Sequence, residues 1–211
     1  MSGALQAVFQ NQRSFITIPN IGDAYQGGFF AGQIGVSGVA THNLVIGPVA
    51  SAQSTSKQWK TTTTSTTGTT SVIDGPTNSS NMNNASHPAA EFCEALTIGG
   101  FSDWYMPAKN ELEVCYYNLK PTTANNDTSS GTNTNAVPSR ASNYTSGTPT
   151  QTSATDFKDT GAEDFGVTYY WSSTESSATN AWIQNFSGGY QGSLGTKTSS
   201  YRVRAVRRVA V

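Results

Sequence analysis

The last third of the chain alternates large aromatic or aliphatic residues with runs of Ser, Thr, Asn, Gln and Gly. It contains Tyr-Tyr-Trp-Ser-Ser-Thr-Glu at 169–175, then Ala181, Trp182 and Phe186, and finally Tyr-Arg-Val-Arg-Ala-Val-Arg-Arg at 201–208. Such segments predict short strands whose inward residues form a core and whose turns carry small polar side chains. The pattern therefore restricts the fold to a rigid scaffold that displays a polar surface, which is typical of recognition.

Upstream of these strands the sequence predicts a hairpin and two helices. The predicted elements are strands 25–34 and 43–50 joined by a turn at 35–41, helices from Pro88 to Leu96 and from Pro107 to Leu119, and strands near 169–174, 180–187, 190–195 and 201–209. In the second helix, Leu112, Cys115, Tyr116 and Leu119 follow the i, i+3, i+4, i+7 spacing of a buried face. Gly188-Gly189 suits a hairpin turn. This order of elements indicates the α+β class.

Two polar insertions, 51–85 and 122–165, interrupt this pattern, and their low hydrophobicity predicts long surface loops. At the other end, residues 1–22 place Leu5, Val8 and Phe9 at helical spacing. We expect this segment to be an amphipathic docking arm or a terminus that packs on its own domain, which would span residues 23–211.

Three blocks in the sequence occur together in one known family. They are Gly-Phe-Ser-Asp-Trp-Tyr-Met-Pro-Ala-Lys-Asn-Glu-Leu at 100–112, Tyr-Trp-Ser-Ser-Thr-Glu at 170–175 and Val-Arg-Ala-Val-Arg at 203–207. In this order they resemble the C-terminal domain family named for the Legionella collagen-like adhesin, a relative of the C-type-lectin-like and formylglycine-generating-enzyme folds. The resemblance implies a C-type-lectin-like domain with two helices, antiparallel strands and long polar loops, in which the first and last strands pair.

Composition excludes several classes of partner. Charged residues make up 12% of the chain and the formal net charge is −1, so there is no electrostatic basis for nucleic-acid binding. No apolar stretch approaches the roughly 20 residues of a membrane helix, so we expect no membrane insertion. Because the first residues lack the basic and apolar regions of a signal peptide, we expect the chain to be made in a cytoplasm.

The sequence also predicts no enzyme, no cofactor and no metal. Its histidines, cysteines and carboxylates lack metal-ligand spacing. Glu111 and Glu113 are two residues apart on a helix and point about 200° apart, unlike a glycosidase pair; we expect Glu111 to anchor a loop and Glu113 to be solvated. Formylglycine-generating enzymes use reactive cysteines in their C-terminal half, whereas Cys93 and Cys115 lie upstream. We expect these to be free buried thiols, with a disulfide as the alternative.

Most aromatic and charged residues of the three blocks are expected to serve structure. We predict a core built on Trp104, Trp171, Trp182 and Phe186, with sugar stacking as the alternative for Trp171, Trp182 and Phe186. We expect Asp103 to accept hydrogen bonds within a loop and Glu175 to bind backbone amides or a cation. Of the final arginines, Arg207 or Arg208 should bridge to carboxylates, although a basic surface for an anionic glycan is also consistent with the sequence.

Domains with these blocks occur in bacterial surface adhesins and phage tail tips. Because the chain opens with a methionine, without a signal peptide, and with a segment that resembles the virion attachment segments of phage tail fibres, we expect a non-enzymatic phage tail-fibre or tail-tip protein of the virion. It would be assembled in the host cytoplasm as a homotrimer. It would bind a host surface receptor such as a polysaccharide, and other tail proteins through the arm. The alternatives are a polysaccharide depolymerase using Asp103 with Glu175, a structural virion protein, and a variable protein of a diversity-generating retroelement.

The receptor contacts are expected on polar tips between the aromatic positions of the C-terminal strands. Such tips combine tyrosine with short hydrogen-bonding side chains and follow turns, where side chains change without disturbing a core. Ordinary solvated loops are the alternative. The predicted residues are Ser176, Ser177, Asn180, Tyr190, Gln191, Ser193 and Tyr201.

Overall fold

The computed structural model describes residues 18–211. The strands are β1 (Ala24–Tyr25), β2 (Gly28–Val36), β3 (Val39–Ile46), β4 (Gln53–Gln58), β5 (Ala136–Val137), β6 (Tyr169–Glu175), β7 (Asn180–Asn185), β8 (Gln191–Thr196), β9 (Ser200–Arg204) and β10 (Val206–Ala210). The helices are α1 (Val49–Ala52), α2 (Gly75–Ser80), α3 (Pro88–Glu94) and α4 (Lys109–Leu119), with a 3-10 turn at Thr155–Phe157. Most of the predicted arm at 1–22 lies outside the described residues; Ile21, which is described, packs against the core.

The strands form two five-stranded sheets. The first has the order β1-β2-β3-β10 with β5 beside β2, and the second has the order β4-β9-β6-β7-β8. All pairs are antiparallel except β6 with β9, which are parallel at Tyr170 and Arg202. The last strand pairs with β3 rather than with the first strand. The pairing implied by the resemblance is wrong in that detail, although the chain end does return to the N-terminal hairpin.

The predicted N-terminal hairpin is present, with a tighter turn than the sequence suggested. Val36 and Val39 are paired, so only Ser37 and Gly38 form the loop. Both have positive φ, 51° and 79°, as a type I′ turn requires. This turn matches the twist of the flanking strands, and both strands therefore extend further towards the turn than predicted. The second strand ends at Ile46, so the prediction of a strand over residues 47–50 is wrong, and these residues lead into α1.

The core consists of two clusters on opposite faces of the second sheet. One includes α4 residues with Tyr170 and Phe186, and the other includes Trp59, Trp104 and Trp171. Successive strand residues point to opposite faces, which is why Tyr170 and Trp171 enter different clusters. Strand β6 is therefore buried on both sides, and most of its residues are inaccessible to solvent.

Helices α3 and α4 confirm the two predicted helices, and α1 and α2 are short additions. In α4 the predicted apolar positions are all buried. Glu111 closes the first turn, since its carboxylate accepts the Ala108 N–H at 2.8 Å. Helix α4 packs against β2 of the first sheet and β7 of the second.

The insertion at 51–85 is not the surface loop that hydropathy predicts. Strand β4 pairs with β9, and Trp59 directly after it is fully buried, donating its indole N–H to the Ser172 carbonyl at 2.9 Å. Because β4 reads Gln-Ser-Thr-Ser-Lys-Gln, no apolar period marks it as a strand. The insertion at 122–165 is mostly irregular, as predicted, yet it buries Tyr144 and Phe157 in the core.

Candidate recognition site

Two carboxylates of the family blocks hold the C-terminal arginines. Asp103 binds Arg207 through two parallel contacts, from Nε at 2.7 Å and Nη2 at 2.9 Å. Glu111 accepts a bond from Arg208 Nε at 2.7 Å. Such charge-assisted contacts fix both partners in place, which confirms the predicted arginine bridges and the anchoring role of Glu111.

The prediction that Glu113 is solvated is wrong. Glu113 is fully buried, forms an ion pair with Arg140, and accepts bonds from Tyr144 Oη and Asn133 Nδ2, both at 2.6 Å. The insertion at 122–165 supplies all three partners and covers this side of α4. The spacing of apolar residues in α4 predicted only the buried apolar face of the helix and did not indicate that the side with Glu113 would also be covered. As predicted, Glu111 and Glu113 point to different partners.

Glu175 binds backbone amide and side-chain donors together. Its Oε2 accepts the Thr66 N–H at 2.7 Å and the Thr69 hydroxyl at 3.1 Å, and its Oε1 lies 3.3 Å from Lys197 Nζ. Asp103 instead lines a groove of about 370 Å³ that Glu175 does not reach. The structure therefore does not bring together the two carboxylates that a depolymerase would need.

Neither cysteine offers a reactive centre. Cys93 and Cys115 are free and buried, and they lie in different core clusters. Burial raises the pKa of both thiols, which keeps them protonated. This confirms the expectation of free thiols over a disulfide.

Between residues 18 and 211, no group of three or more His, Cys, Asp or Glu side chains is arranged to hold a metal ion. In the same part of the chain, none of the helices has the length and apolar character needed to cross a membrane.

The first predicted tip joins the β6–β7 turn to β8. The backbone N–H groups of Ser176 and Ser177 both donate to the Asn180 carbonyl at 3.1 Å, and the Ser176 hydroxyl donates to the Ser193 carbonyl. Ser177 is exposed, whereas the other three are half-buried. Four of the predicted residues therefore lie together.

A loop that the sequence did not associate with this tip lies beside it. Lys197 Nζ donates to the Thr64 and Ala178 carbonyls, both at 3.0 Å, and so ties the 61–66 loop to the 176–180 turn. Lys60 Nζ binds the same loop at the Thr64 and Ser65 carbonyls, at 3.0 and 2.8 Å. Two lysines thus hold an exposed threonine-rich loop, a function that their positions in sequence do not reveal.

The three other predicted residues, Tyr190, Gln191 and Tyr201, do not all lie with this tip. Tyr190 is exposed, and Gln191 joins the 122–165 insertion, donating its backbone N–H to Ser130 Oγ at 2.9 Å. Tyr201 lies on β9, which β6 and β7 separate from β8. Its ring packs edge-on against Trp171, with 4.7 Å between centroids. The structure therefore does not place Tyr201 with the other six residues.

Trp182 is not a core residue, contrary to the prediction. Phe186 on the same strand is fully buried and stacks on Phe165 at 3.9 Å, but Trp182 is only half-buried. Because α4 begins at Lys109, the helix covers only part of this face. The Lys109 ammonium lies 4.4 Å from the centre of the Trp182 ring, in a cation–π contact.

Trp182 and Lys109 form one side of a cleft of about 160 Å³. The cleft is lined by Lys109, Ser129, Ser130, Gly131, Thr132, Asn143, Trp182 and Gln191. Of these, only Gln191 was among the predicted contacts. The sequence could indicate Trp182 as a binding residue, since sugar stacking was its alternative role. It could not indicate the loop residues of the cleft, because their positions depend on how the 122–165 insertion folds.

Two larger grooves each contain a charged side chain that is already paired. One, of about 340 Å³, is lined by Tyr117 and Arg140, and Arg140 pairs with Glu113. The other is the groove lined by Asp103, which pairs with Arg207. In the Trp182 cleft, by contrast, Lys109 Nζ has no hydrogen-bond or ion-pair partner among residues 18–211. Burial lowers the pKa of this amine, and the charge of Glu113 opposes that shift.

Comparison with curated proteins finds no match. Among solved structures, the chain is similar to a fimbrial protein from Bacteroides ovatus ATCC 8483, with a TM-score of 0.46 and 17% sequence identity over 85% of this chain. The match spans 43% of that protein's length. The family model of the Lcl C-terminal domain matches residues 49–207, which include all three sequence blocks. The chain therefore belongs to the Lcl C-terminal domain family.

Proposed function

We propose that this chain is the receptor-recognition part of a phage tail fibre or tail tip, that its fold is C-type-lectin-like, and that it binds a host surface polysaccharide without catalysis. The observation that carries the proposal is the cleft in which half-exposed Trp182 lies among hydroxyl and amide side chains. Membership of an adhesin-like family supports a recognition function.

The chemistry of the cleft suits a sugar ring. The face of a tryptophan packs against the apolar C–H surface of a pyranose, while Ser129, Thr132 and Asn143 offer groups that can hydrogen-bond its hydroxyls. At about 160 Å³ the cleft is smaller than the roughly 300–1,000 Å³ of sites for drug-sized ligands, so it suits a single sugar unit.

The scaffold supports this function by holding the surface rigid. Gln191 is fixed to the 122–165 insertion, and Ser176 is fixed to Ser193. A surface that is already ordered loses less entropy on binding. Display as a homotrimer, joined to other tail proteins through the predicted arm, would let weak individual contacts act together.

The proposal is tested by adsorption of the purified, labelled chain to a panel of bacterial cells and to an array of their surface polysaccharides. On the positive surfaces, we expect Trp182→Ala and the triple variant Tyr190→Ala, Gln191→Ala, Ser193→Ala to bind at least tenfold less. Lys57→Met is the matched control, because Lys57 also lies over an aromatic ring, Phe92, at 5.6 Å, but does not line the cleft. Undiminished adsorption by both folded variants would contradict the proposed site, and failure of the wild type on every surface would contradict the function.

A further inference from the structure

The Trp182 cleft contains a cation, Lys109, that forms no ion pair with any residue between 18 and 211. Lys109 is the first residue of α4, and its backbone N–H donates to Thr174 Oγ1 at 2.9 Å, which fixes the start of the side chain. Its ammonium lies over Trp182 and has no acceptor within the described part of the chain. A half-buried ammonium that has no acceptor in this part of the chain is available to bind an anionic group of a ligand.

The acids near Lys109 in sequence or beside the cleft serines are already engaged, and the first of them, Glu111, pairs with Arg208. Glu113, one turn along α4 from Lys109, pairs with Arg140. Asp127 precedes the serines that line the cleft, but its Oδ1 accepts bonds from the Ser129 N–H at 2.9 Å and the Ser130 hydroxyl at 3.2 Å. Neither Glu113 nor Asp127 lines the cleft. The charge of Lys109 is therefore left for a bound anion.

One residue of the cleft, Gln191, has an unused polar group, and so has its neighbour Gln184, which does not line the cleft. Gln184 and Gln191 are cross-strand partners on β7 and β8. Gln184 Oε1 and Gln191 Nε2 are buried and make no hydrogen bond to any residue in 18–211. Buried polar atoms are usually paired, so this pair marks a place where polar contacts are incomplete.

Resting on the proposed function, we propose that the cleft binds a sugar unit that carries a carboxylate, of the hexuronic acid class. The pyranose ring lies against the part of the Trp182 ring that Lys109 does not cover, the carboxylate meets Lys109 Nζ beside it, and the ring hydroxyls face Gln191 and Asn143. The cleft therefore selects acidic over neutral sugars of the same shape. Lys109 sets this selectivity, while Trp182 provides affinity for both kinds of sugar.

The test compares methyl glucuronide with methyl glucoside, which differ only in the carboxylate at C6. Binding is followed by NMR on the Trp182 indole N–H, which Trp182→Phe identifies by its loss. Because charge-assisted hydrogen bonds are roughly twice as strong as neutral ones, we expect the glucuronide to bind about tenfold tighter or more. Lys109→Met keeps the apolar stem over Trp182 and should abolish this preference without abolishing glucoside binding, whereas the control Lys57→Met should retain the preference.

Equal affinity for the two glycosides would overturn the inference, as would an unchanged preference in folded Lys109→Met. Adsorption to cells separates this result from the proposed function. A chain that adsorbs to its host surface but shows no preference for the glucuronide refutes only the acidic-sugar inference. A chain that adsorbs to no surface refutes the recognition function itself.

Discussion

Acidification should destabilise the fold through His87. His87 is only 5% exposed; its Nδ1 lies 2.9 Å from Asn84 Oδ1 and its Nε2 lies 2.9 Å from Thr66 Oγ1. Burial, together with the positive charges of Lys60 and Lys197, lowers the pKa of the ring from 6.5 to about 4. The folded state therefore binds a proton less readily than the unfolded state.

The sign and size of the effect follow from linkage. Since the unfolded chain takes up a proton below its pKa of 6.5, stability is complete above that pH and is lost as pH falls towards the folded pKa of about 4. For a shift of this size, the linkage relation gives a loss of about 2 kcal/mol between pH 7 and pH 5. Solvent screening of the two lysine charges reduces this figure, so we expect a loss of about 1–2 kcal/mol.

The assay is urea denaturation at pH 7 and pH 5 for the wild type and His87→Gln. Glutamine keeps a hydrogen-bonding side chain but lacks the buried ring, so the variant should be less stable than the wild type at pH 7. Because glutamine does not titrate, the variant should lose about 1–2 kcal/mol less stability than the wild type on acidification. The carboxylates are the same in both proteins, so their contribution cancels in the comparison. Equal losses in the two proteins would refute the assignment of this acid sensitivity to His87.

Other predictions follow from the core, the carboxylates and the assembly. Phe186→Ala should lower the free energy of unfolding by about 3–5 kcal/mol, whereas Trp182→Ala should cost clearly less; equal costs in thermal melts would contradict the different burial of the two rings. The protein should release no reducing ends from host polysaccharide, and activity lost in Asp103→Asn or Glu175→Gln would overturn that expectation. Light scattering of the full chain should give the mass of a homotrimer, and a monomeric mass would contradict it.

The sequence predicted those elements whose residues repeat with a clear period. The heptad-like spacing of Leu112 to Leu119 predicted α4, and the aromatic blocks predicted the C-terminal strands and their turn at Gly188-Gly189. Gly189 has a φ of 78°, and a Cβ there would collide with the ring of Tyr116, so glycine is required at this turn. In each case a local sequence pattern was enough to predict the element.

Prediction failed where burial depends on segments far apart in the chain. Hydropathy could not show that Glu113 would be covered by the 122–165 insertion, or that polar β4 would pair with β9 and lead into buried Trp59. The two-residue alternation of β7 correctly placed Trp182 and Phe186 on the same face of the strand. It could not show that α4 begins only at Lys109 and therefore leaves Trp182 half-buried.

The charged residues explain how such a polar chain keeps defined loops. Although only 12% of residues are charged, ion pairs join segments that are distant in sequence, as in Glu113 with Arg140 and Glu163 with Arg204. Breaking a buried pair leaves an uncompensated charge and typically costs about 3–5 kcal/mol, so each pair strongly disfavours other loop arrangements. The insertions are therefore fixed to the scaffold by these ion pairs and by the contact of Lys197 with the 61–66 loop. Exposed residues such as Ser177 and Thr132 take no part in those pairs, and the recognition surface can change there without loss of the fold.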